Sequence, residues 1–188
     1  MGADPKSKLA AVTAAIDAAL AQPEPERIES VKKVLSQVCS QKADIFEPHF
    51  LATTPDRYAR RLMHRDPAGR YTLVVAVWAP GQATQLHDHG GLWCVEGVFQ
   101  GRLRVTSFDI LEERGDIVQF KAEDSVIVTE GEVGTLIPPN EYHITENAQR
   151  DGVTVTLHVY GGELTSCCGY HPQTGGYRRE PLELPYTE

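Results

Sequence analysis

The first fifty residues carry apolar side chains at the spacing of amphipathic helices. Over residues 6–21 these side chains recur every three to four positions, and Pro23 and Pro25 follow where a helix would end. The same spacing returns over residues 26–38. The pattern predicts two amphipathic helices that cover a sheet, and a short helical turn over residues 44–50.

From Tyr58 onward, apolar and polar positions alternate with period two, as they do in β-strands. Turns rich in glycine, proline and aspartate separate the runs, and no helical periodicity comes between them. This pattern predicts an all-β core, a sandwich or barrel of short strands, with a hairpin and an extended arm from Gly161 packed outside it. The predicted strands are residues 58–63, 71–78, 92–99, 102–108, 117–120, 125–129, 134–137, 143–146 and 153–160.

Length and charge limit the classes of function. The chain of 188 residues is long enough for one domain with a sizeable core. Its 18 basic and 26 acidic residues give a net charge of −8, and no basic run alternates with aromatic residues as a nucleic-acid groove requires. No apolar stretch approaches the roughly 20 residues of a membrane span, and the N-terminal MGADPKSK lacks the apolar core of a signal peptide. We therefore expect a cytoplasmic protein, with no nucleic-acid or membrane partner and with its cysteines reduced.

Two histidines one residue apart, His87 and His89, are the first candidate site. Side chains at i and i+2 of a strand point to the same face, so both imidazoles can converge on one ion while Asp88 faces away. Such a pair also occurs by chance in surface loops, but a third histidine, His143, follows a Pro-Pro-Asn turn later in the chain. The three predict a metal site, and because imidazole suits Zn, Cu, Fe or Ni, ligand type alone does not name the metal.

The spacing around these histidines resembles the two cupin motifs. Residues 81–101 are similar to the first motif, with Cys94 where most cupins carry a glutamate, and residues 138–147 are similar to the second, with Asn140 in place of the usual glycine. The resemblance implies a cupin-type jelly-roll β-barrel with two or three N-terminal helices packed outside. The implied divisions of this single domain are the helical cover (1–50), the barrel (58–160) and the C-terminal hairpin and arm (161–188).

A cysteine at the glutamate position narrows the resemblance to thiol dioxygenases of the cysteine dioxygenase type. Matches in the family's order continue from residue 58 to residue 175. The resemblance implies that three neutral histidines hold Fe(II) without a carboxylate ligand. It also implies a thioether crosslink between Cys94 and Tyr160, with His158 and Thr156 orienting the phenol of Tyr160. Read from the residues alone, Cys94 is equally a small buried apolar residue and Tyr160 an ordinary strand tyrosine.

Arg60 is the candidate substrate-binding residue. Alternation places it on one face with Tyr58 and Leu62, where a buried charge needs a partner. That partner can be the carboxylate of a substrate or an acidic side chain of the fold, and a solvated Arg60 is the third alternative. The Tyr58-x-Arg60 match to the family favours the substrate carboxylate, which a guanidinium binds with two hydrogen bonds.

The resemblance implies that the protein acts on a small thiol and O2, and we expect a monomer. L-Cysteine is the expected substrate, and the alternatives are 3-mercaptopropionate and mercaptosuccinate. The sequence leaves open whether a further arginine reaches the pocket, with Arg61, Arg70 and Arg178 as candidates. It also leaves open a cupin that binds metal without turnover. A zinc or manganese cupin isomerase would be expected to keep the glutamate that Cys94 replaces.

Overall fold

The computed structural model of the protein describes residues 4–188, so the first three residues of the predicted helical cover and of MGADPKSK lie outside the described residues. The first helix, α1, spans Pro5–Leu20 and confirms the first predicted helix. Asp4 begins it, because its side chain accepts a hydrogen bond of 2.8 Å from the backbone N–H of Ser7. Pro5 occupies the first helical position, where its missing N–H costs nothing.

The second helix, α2, spans Glu26–Ser40 and confirms the second predicted helix. The third helical element is a 3-10 turn over Pro48–Leu51. The turn predicted over residues 44–50 was therefore placed too early, because Pro48 opens the turn at its own position. Within residues 4–188, no helix is long and apolar enough to cross a membrane.

Within residues 4–188, twelve strands form two sheets, which confirms the predicted all-β core and its jelly-roll class. The first sheet has five strands in the order β1-β2-β10-β4-β8, and the second has seven in the order β6-β12-β11-β3-β9-β5-β7. The strands are β1 (Ala59–Arg65), β2 (Thr72–Trp78), β3 (Leu86–His87), β4 (Cys94–Gln100), β5 (Arg102–Arg114), β6 (Ile117–Ala122), β7 (Val126–Thr129), β8 (Val133–Leu136), β9 (His143–Asn147), β10 (Thr154–Tyr160), β11 (Ser166–Gln173) and β12 (Gly176–Glu183).

The helices cover the outer face of the five-stranded sheet. Strand β2 is buried along its whole length because its two faces pack against different layers. Leu73, Val75 and Val77 belong to the core under the helices, whereas Val74 and Trp78 face the interior between the sheets. The inner faces of the two sheets therefore enclose a space in which side chains from both can meet.

Gly97 of β4 sets the distance between the sheet and α2. A Cβ at this position would lie 2.9 Å from the Sγ of Cys39 and 3.1 Å from a methyl group of Val133. The glycine therefore allows close packing of α2 on β4, which fixes the strand that carries Cys94.

Three parts of the sheets differ from the predictions. Strand β3 ends at His87 instead of continuing through His89, because Gly90 and Gly91 follow with left-handed φ angles of +59° and +81° that turn the chain. Strand β5 runs past residue 108 to Arg114, since it pairs with β6 over that length. The β11–β12 hairpin does not lie outside the barrel, because β11 pairs with β3 and β12 with β6 within the seven-stranded sheet.

Candidate active site

The structure brings the three predicted histidines together at the two neighbouring strands β3 and β9, in the middle of the seven-stranded sheet. His87 on β3 and His143 on β9 are direct cross-strand partners, and His89 follows β3 by two residues. The ring centroids of His87 and His143 lie 4.5 Å apart, and the His89 ring lies 5.5 Å from the first and 5.0 Å from the second. One ligand nitrogen from each lies within 4.8 Å of the others, so the arrangement can hold one ion.

The hydrogen bonds of the rings fit a metal site. The Nδ1 atoms of His87 and His143 lie 3.0 Å and 2.7 Å from the carbonyl oxygens of Gln85 and Glu141, so each Nδ1–H donates and each Nε2 is left without a proton. Nδ1 of His89 is buried with no hydrogen-bond partner among the described residues. A buried polar atom without a partner is costly unless a ligand satisfies the ring.

Burial keeps these rings neutral. It lowers the pKa of His143 to about 3, with a further contribution from His87, and it lowers the pKa of His87 and that of His89. A histidine binds a metal in its neutral form, so all three rings are ready to act as ligands near neutral pH.

Asp88 faces away from the histidines, as the alternation predicts, and holds their loop in place. Its Oδ1 accepts hydrogen bonds from the backbone N–H groups of Gly90 and Cys168, at 3.0 Å and 2.9 Å. Its Oδ2 accepts a hydrogen bond of 2.9 Å from the hydroxyl of Tyr170. These contacts fix the direction of His87 and His89, and they come from a hairpin about 80 residues further along the chain, which local spacing does not predict.

The inner face of the five-stranded sheet carries the other predicted residues. Tyr160 of β10 is the cross-strand partner of Cys94 on β4, and His158 and Thr156 follow on the same face of β10. Thr156 Oγ1 lies 2.7 Å from His158 Nε2 and accepts a hydrogen bond of 3.0 Å from Trp78 Nε1. Because its proton is then free to go to His158 Nε2, His158 Nδ1–H can donate to the Tyr160 hydroxyl at 3.3 Å.

The two candidate crosslink residues are both protonated at neutral pH. Burial raises the pKa of the Cys94 thiol and that of the Tyr160 phenol well above their ordinary values. The sulfur of Cys94 lies 4.0 Å from His158 Nδ1. Tyr160 can therefore donate a hydrogen bond into the site, and its ring centroid lies 5.4 Å from that of His89.

Arg60 lies between the two sheets with only 4% of its surface exposed. It is neither solvated nor paired with an acidic side chain of residues 4–188. Its guanidinium donates instead to two backbone carbonyls, that of Leu184 at 3.0 Å and that of Leu164 at 2.7 Å. The guanidinium also lies 5.6 Å from the centroid of the Tyr160 ring and 4.6 Å from that of Tyr186. Three of its five N–H groups remain for another partner.

The C-terminal arm also contacts the backbone of β1 at Arg60. The backbone N–H of Arg60 donates to Thr187 Oγ1 at 3.0 Å, and the N–H of Thr187 donates to the Arg60 carbonyl at 2.7 Å. The arm therefore lies beside β1 and next to the candidate site, a position that the alternation pattern alone does not predict.

Two neighbouring cavities reach these residues. An inner cavity of about 20 Å³ is lined by the three histidines, Glu96, His158 and Tyr160. An outer cavity of about 250 Å³ opens beside the C-terminal arm, and Tyr58, Arg60, Thr84 and His87 line both. Tyr58 stacks on Trp78, with ring centroids 4.1 Å apart. The inner cavity has room for about one water-sized group, which suits the reacting end of a small molecule held in the outer cavity.

None of the three further arginines considered from the sequence lines these cavities. Arg61 points to the opposite face and donates to the carbonyl of Ala52 at 2.6 Å, Arg70 pairs with Asp66, and Arg178 donates to Gln173. Arg57, which no sequence pattern indicated, lines the outer cavity.

Glu96 is a second residue that sequence reasoning missed. It is 8% exposed, lines the inner cavity and places Oε2 3.3 Å from His158 Nδ1. Burial raises its pKa to about 7 and lowers that of His158 to about 3, so the two form a contact between a carboxyl group and a neutral imidazole. The sequence feature that could have identified Glu96 is its position two residues after Cys94, because both side chains then share one face of β4.

Residues 4–173 match the family model described as cysteine dioxygenase type I. Over 119 residues the chain is 26% identical to cysteine dioxygenase type 1 of Rattus norvegicus, a match that covers 63% of this chain and 58% of the relative. It is 25% identical over 148 residues to the Danio rerio protein of the same description, covering 79% and 72%. A solved double-stranded β-helix protein from Klebsiella pneumoniae matches 64% of this chain and 91% of its own, at 16% identity and a TM-score of 0.47.

Proposed function

The chain belongs to the cysteine dioxygenase type I family, and we propose that it is a mononuclear non-haem Fe(II) thiol dioxygenase. The reaction adds both atoms of O2 to the sulfur of a small carboxylate-bearing thiol, so that RSH and O2 give the sulfinic acid RSO2H. We assign L-cysteine as the substrate and cysteine sulfinic acid as the product. The same chemistry on 3-mercaptopropionate or mercaptosuccinate is the alternative.

One observation carries this proposal: a buried cluster of three neutral histidines shares an inner cavity with a buried arginine and a protonated tyrosine. No carboxylate belongs to the histidine cluster among the described residues. Such a ligand set leaves positions free for a thiol and O2 together, and the arginine supplies the charge that a carboxylate needs.

Each predicted site residue has a role in the proposed reaction. His87, His89 and His143 would hold Fe(II), which when bound supplies the route by which O2 adds to sulfur. Arg60 binds the substrate carboxylate through its remaining N–H groups and so places the thiol beside the histidines. Tyr58, stacked on Trp78, lines both cavities and binds the substrate beside Arg60.

The Tyr160 phenol donates a hydrogen bond to the substrate or to oxygen in the inner cavity. Its pKa lies well above 10 because of burial, so it keeps its proton at neutral pH. His158 holds the hydroxyl from one side at 3.3 Å, and Thr156 holds the imidazole at 2.7 Å. These hydrogen bonds from Thr156 through His158 to Tyr160 form a relay that fixes where the phenol proton points.

The position of Arg57 on the outer cavity favours mercaptosuccinate as an alternative substrate. A dicarboxylate can place one carboxylate on Arg60 and direct the other toward the wider opening, where Arg57 lies. Cysteine and 3-mercaptopropionate carry one carboxylate and gain nothing from Arg57.

Oxygen uptake by the Fe(II)-loaded protein tests the function directly. We expect uptake with cysteine to exceed that with 3-mercaptopropionate and mercaptosuccinate at equal concentration, and the sulfinate to be identified by mass. Faster uptake with another of these thiols would change the assigned substrate and leave the proposed reaction unchanged. A protein that contains iron and consumes no oxygen with any of them would be a metal-binding cupin module instead.

The strand pairing of Cys94 with Tyr160 supports a thioether crosslink between them. Formation of the S–C bond removes two protons and two electrons, which O2 takes up. We expect Cys94→Ser to keep part of the activity and to lose any crosslinked form. On a denaturing gel, the wild-type protein is expected as a doublet after turnover and the variant as one band. A doublet that persists in Cys94→Ser would contradict the assignment.

A further inference from the structure

Glu96 and Arg60 stand on the same inner face of the five-stranded sheet, with opposite charge. Arg60 on β1 is the cross-strand partner of Ala76 on β2, and Ala76 pairs with Thr156 on β10. His158, two residues further on β10, pairs with Glu96 on β4. Three strand spacings separate β1 from β4, so the two backbones lie about 14 Å apart, and both side chains line the inner cavity.

The two charged groups do not pair with each other. Among residues 4–188, no acidic side chain lies within ion-pair distance of Arg60, and the contact of Glu96 is with His158. Both nevertheless line the same inner cavity, together with the three histidines. The cavity therefore has a cationic side and an acidic side, with the candidate metal ligands between its walls.

The carboxyl group of Glu96 has acceptor capacity to spare. A carboxylate offers about four acceptor sites, and His158 Nδ1–H is the one donor near it, at 3.3 Å, among the described residues. That donor is shared with the hydroxyl of Tyr160, which also lies 3.3 Å from Nδ1. A buried carboxylate with so few donors is costly, and a donor that enters the cavity would lower the cost.

We propose that Glu96 determines specificity by accepting a hydrogen bond from the amino group of the substrate. This inference rests on the proposed function and deepens it. A molecule with a carboxylate for Arg60, a thiol for the histidines and an amino group for Glu96 matches all three walls of the cavity. The site then selects an amino thiol acid over a thiol acid of the same length without the amine.

A positioning role for Glu96 through His158 makes a different prediction. If Glu96 served only to orient His158 and Tyr160, its replacement would affect every thiol alike, because the relay is common to all of them. If Glu96 binds the amino group, replacement affects only a thiol that carries one. Cysteine and 3-mercaptopropionate form the matched pair, since they differ only in the amino group.

The test measures binding rather than turnover. We would titrate Fe(II)-loaded protein with each thiol in the absence of O2 and determine Kd by calorimetry for wild type, Glu96→Gln and Glu96→Asp. For Glu96→Gln we expect the affinity for cysteine to fall about tenfold, the effect of losing one charge-assisted hydrogen bond, with the affinity for 3-mercaptopropionate unchanged. Glu96→Asp keeps the carboxyl group but withdraws it by one methylene, and we expect a smaller loss for cysteine alone.

Glu113→Gln on the exposed part of β5 is the matched control, and both affinities should stay at their wild-type values. Equal losses for the two thiols, or no change for either, in a folded variant would overturn the role of Glu96. If Glu96→Gln does not fold, an unchanged ratio of the two affinities in Glu96→Asp would overturn it. If wild type oxidises thiols and Glu96→Gln still prefers cysteine, the role of Glu96 is refuted and the proposed function stands. The proposed function fails separately if wild type consumes no oxygen.

Discussion

Replacement of His143 by alanine is expected to abolish iron retention. His143 completes a triangle of rings, with its centroid 4.5 Å from that of His87 and 5.0 Å from that of His89. Its loss leaves two imidazoles without a third ligand, and no carboxylate of residues 4–188 belongs to the cluster to replace it. The measurement is iron content after anaerobic loading and gel filtration, with far-UV circular dichroism to show that the variant is folded.

His49→Ala is the control for this experiment. His49 lies on the exposed 3-10 turn and takes no part in the cluster, so its replacement should leave iron content at the wild-type level. A folded His143→Ala protein that retains iron as wild type does would remove His143 from the ligand set.

Replacement of Arg60 by alanine is expected to raise the thiol concentration needed for half-maximal rate about 10- to 100-fold, with iron content unchanged. The expected size follows from the loss of charged hydrogen bonds to the substrate carboxylate. The backbone contacts of Arg60 with Thr187 do not involve the side chain, so the arm keeps part of its anchorage. Arg60→Lys should recover only a fraction of the loss, because lysine keeps the charge but not the planar pair of donors.

Arg61→Ala provides the neighbouring control for Arg60. Arg61 follows on the same strand but donates to the backbone of residues 50 and 52 on the other face. Steady-state kinetics with cysteine should therefore change little in Arg61→Ala. Thiol kinetics that remain at the wild-type values in Arg60→Ala would remove Arg60 from substrate binding.

The histidine site could be predicted from the sequence because its information is local. The HxH spacing and the turn before His143 each describe one short segment, and the resemblance to a family joined them. The structure differs in detail, since His89 lies beyond the end of β3, yet the three rings still meet. The spacing of two residues still brings the rings of His87 and His89 to one site, because Asp88 continues the pairing with β11. Its N–H donates to the carbonyl of Cys168 at 3.1 Å.

The surroundings of Arg60 could not be predicted in this way. Its two carbonyl partners, Leu164 and Leu184, lie 104 and 124 residues away in sequence, and a backbone carbonyl is offered by every residue type. Glu96 was missed for a related reason, since a glutamate on a strand usually marks the solvent face. Only the second sheet, packed over β4, makes that position an interior one.

Reaction of Fe(II)-loaded protein with cysteine under ¹⁸O2 shows whether both oxygen atoms of the product come from O2. We expect consumption of one O2 for each thiol oxidised, and a sulfinate in which both oxygen atoms carry the label. Disulfide as the main product, or a sulfinate that takes oxygen from water, would contradict a dioxygenase at this site.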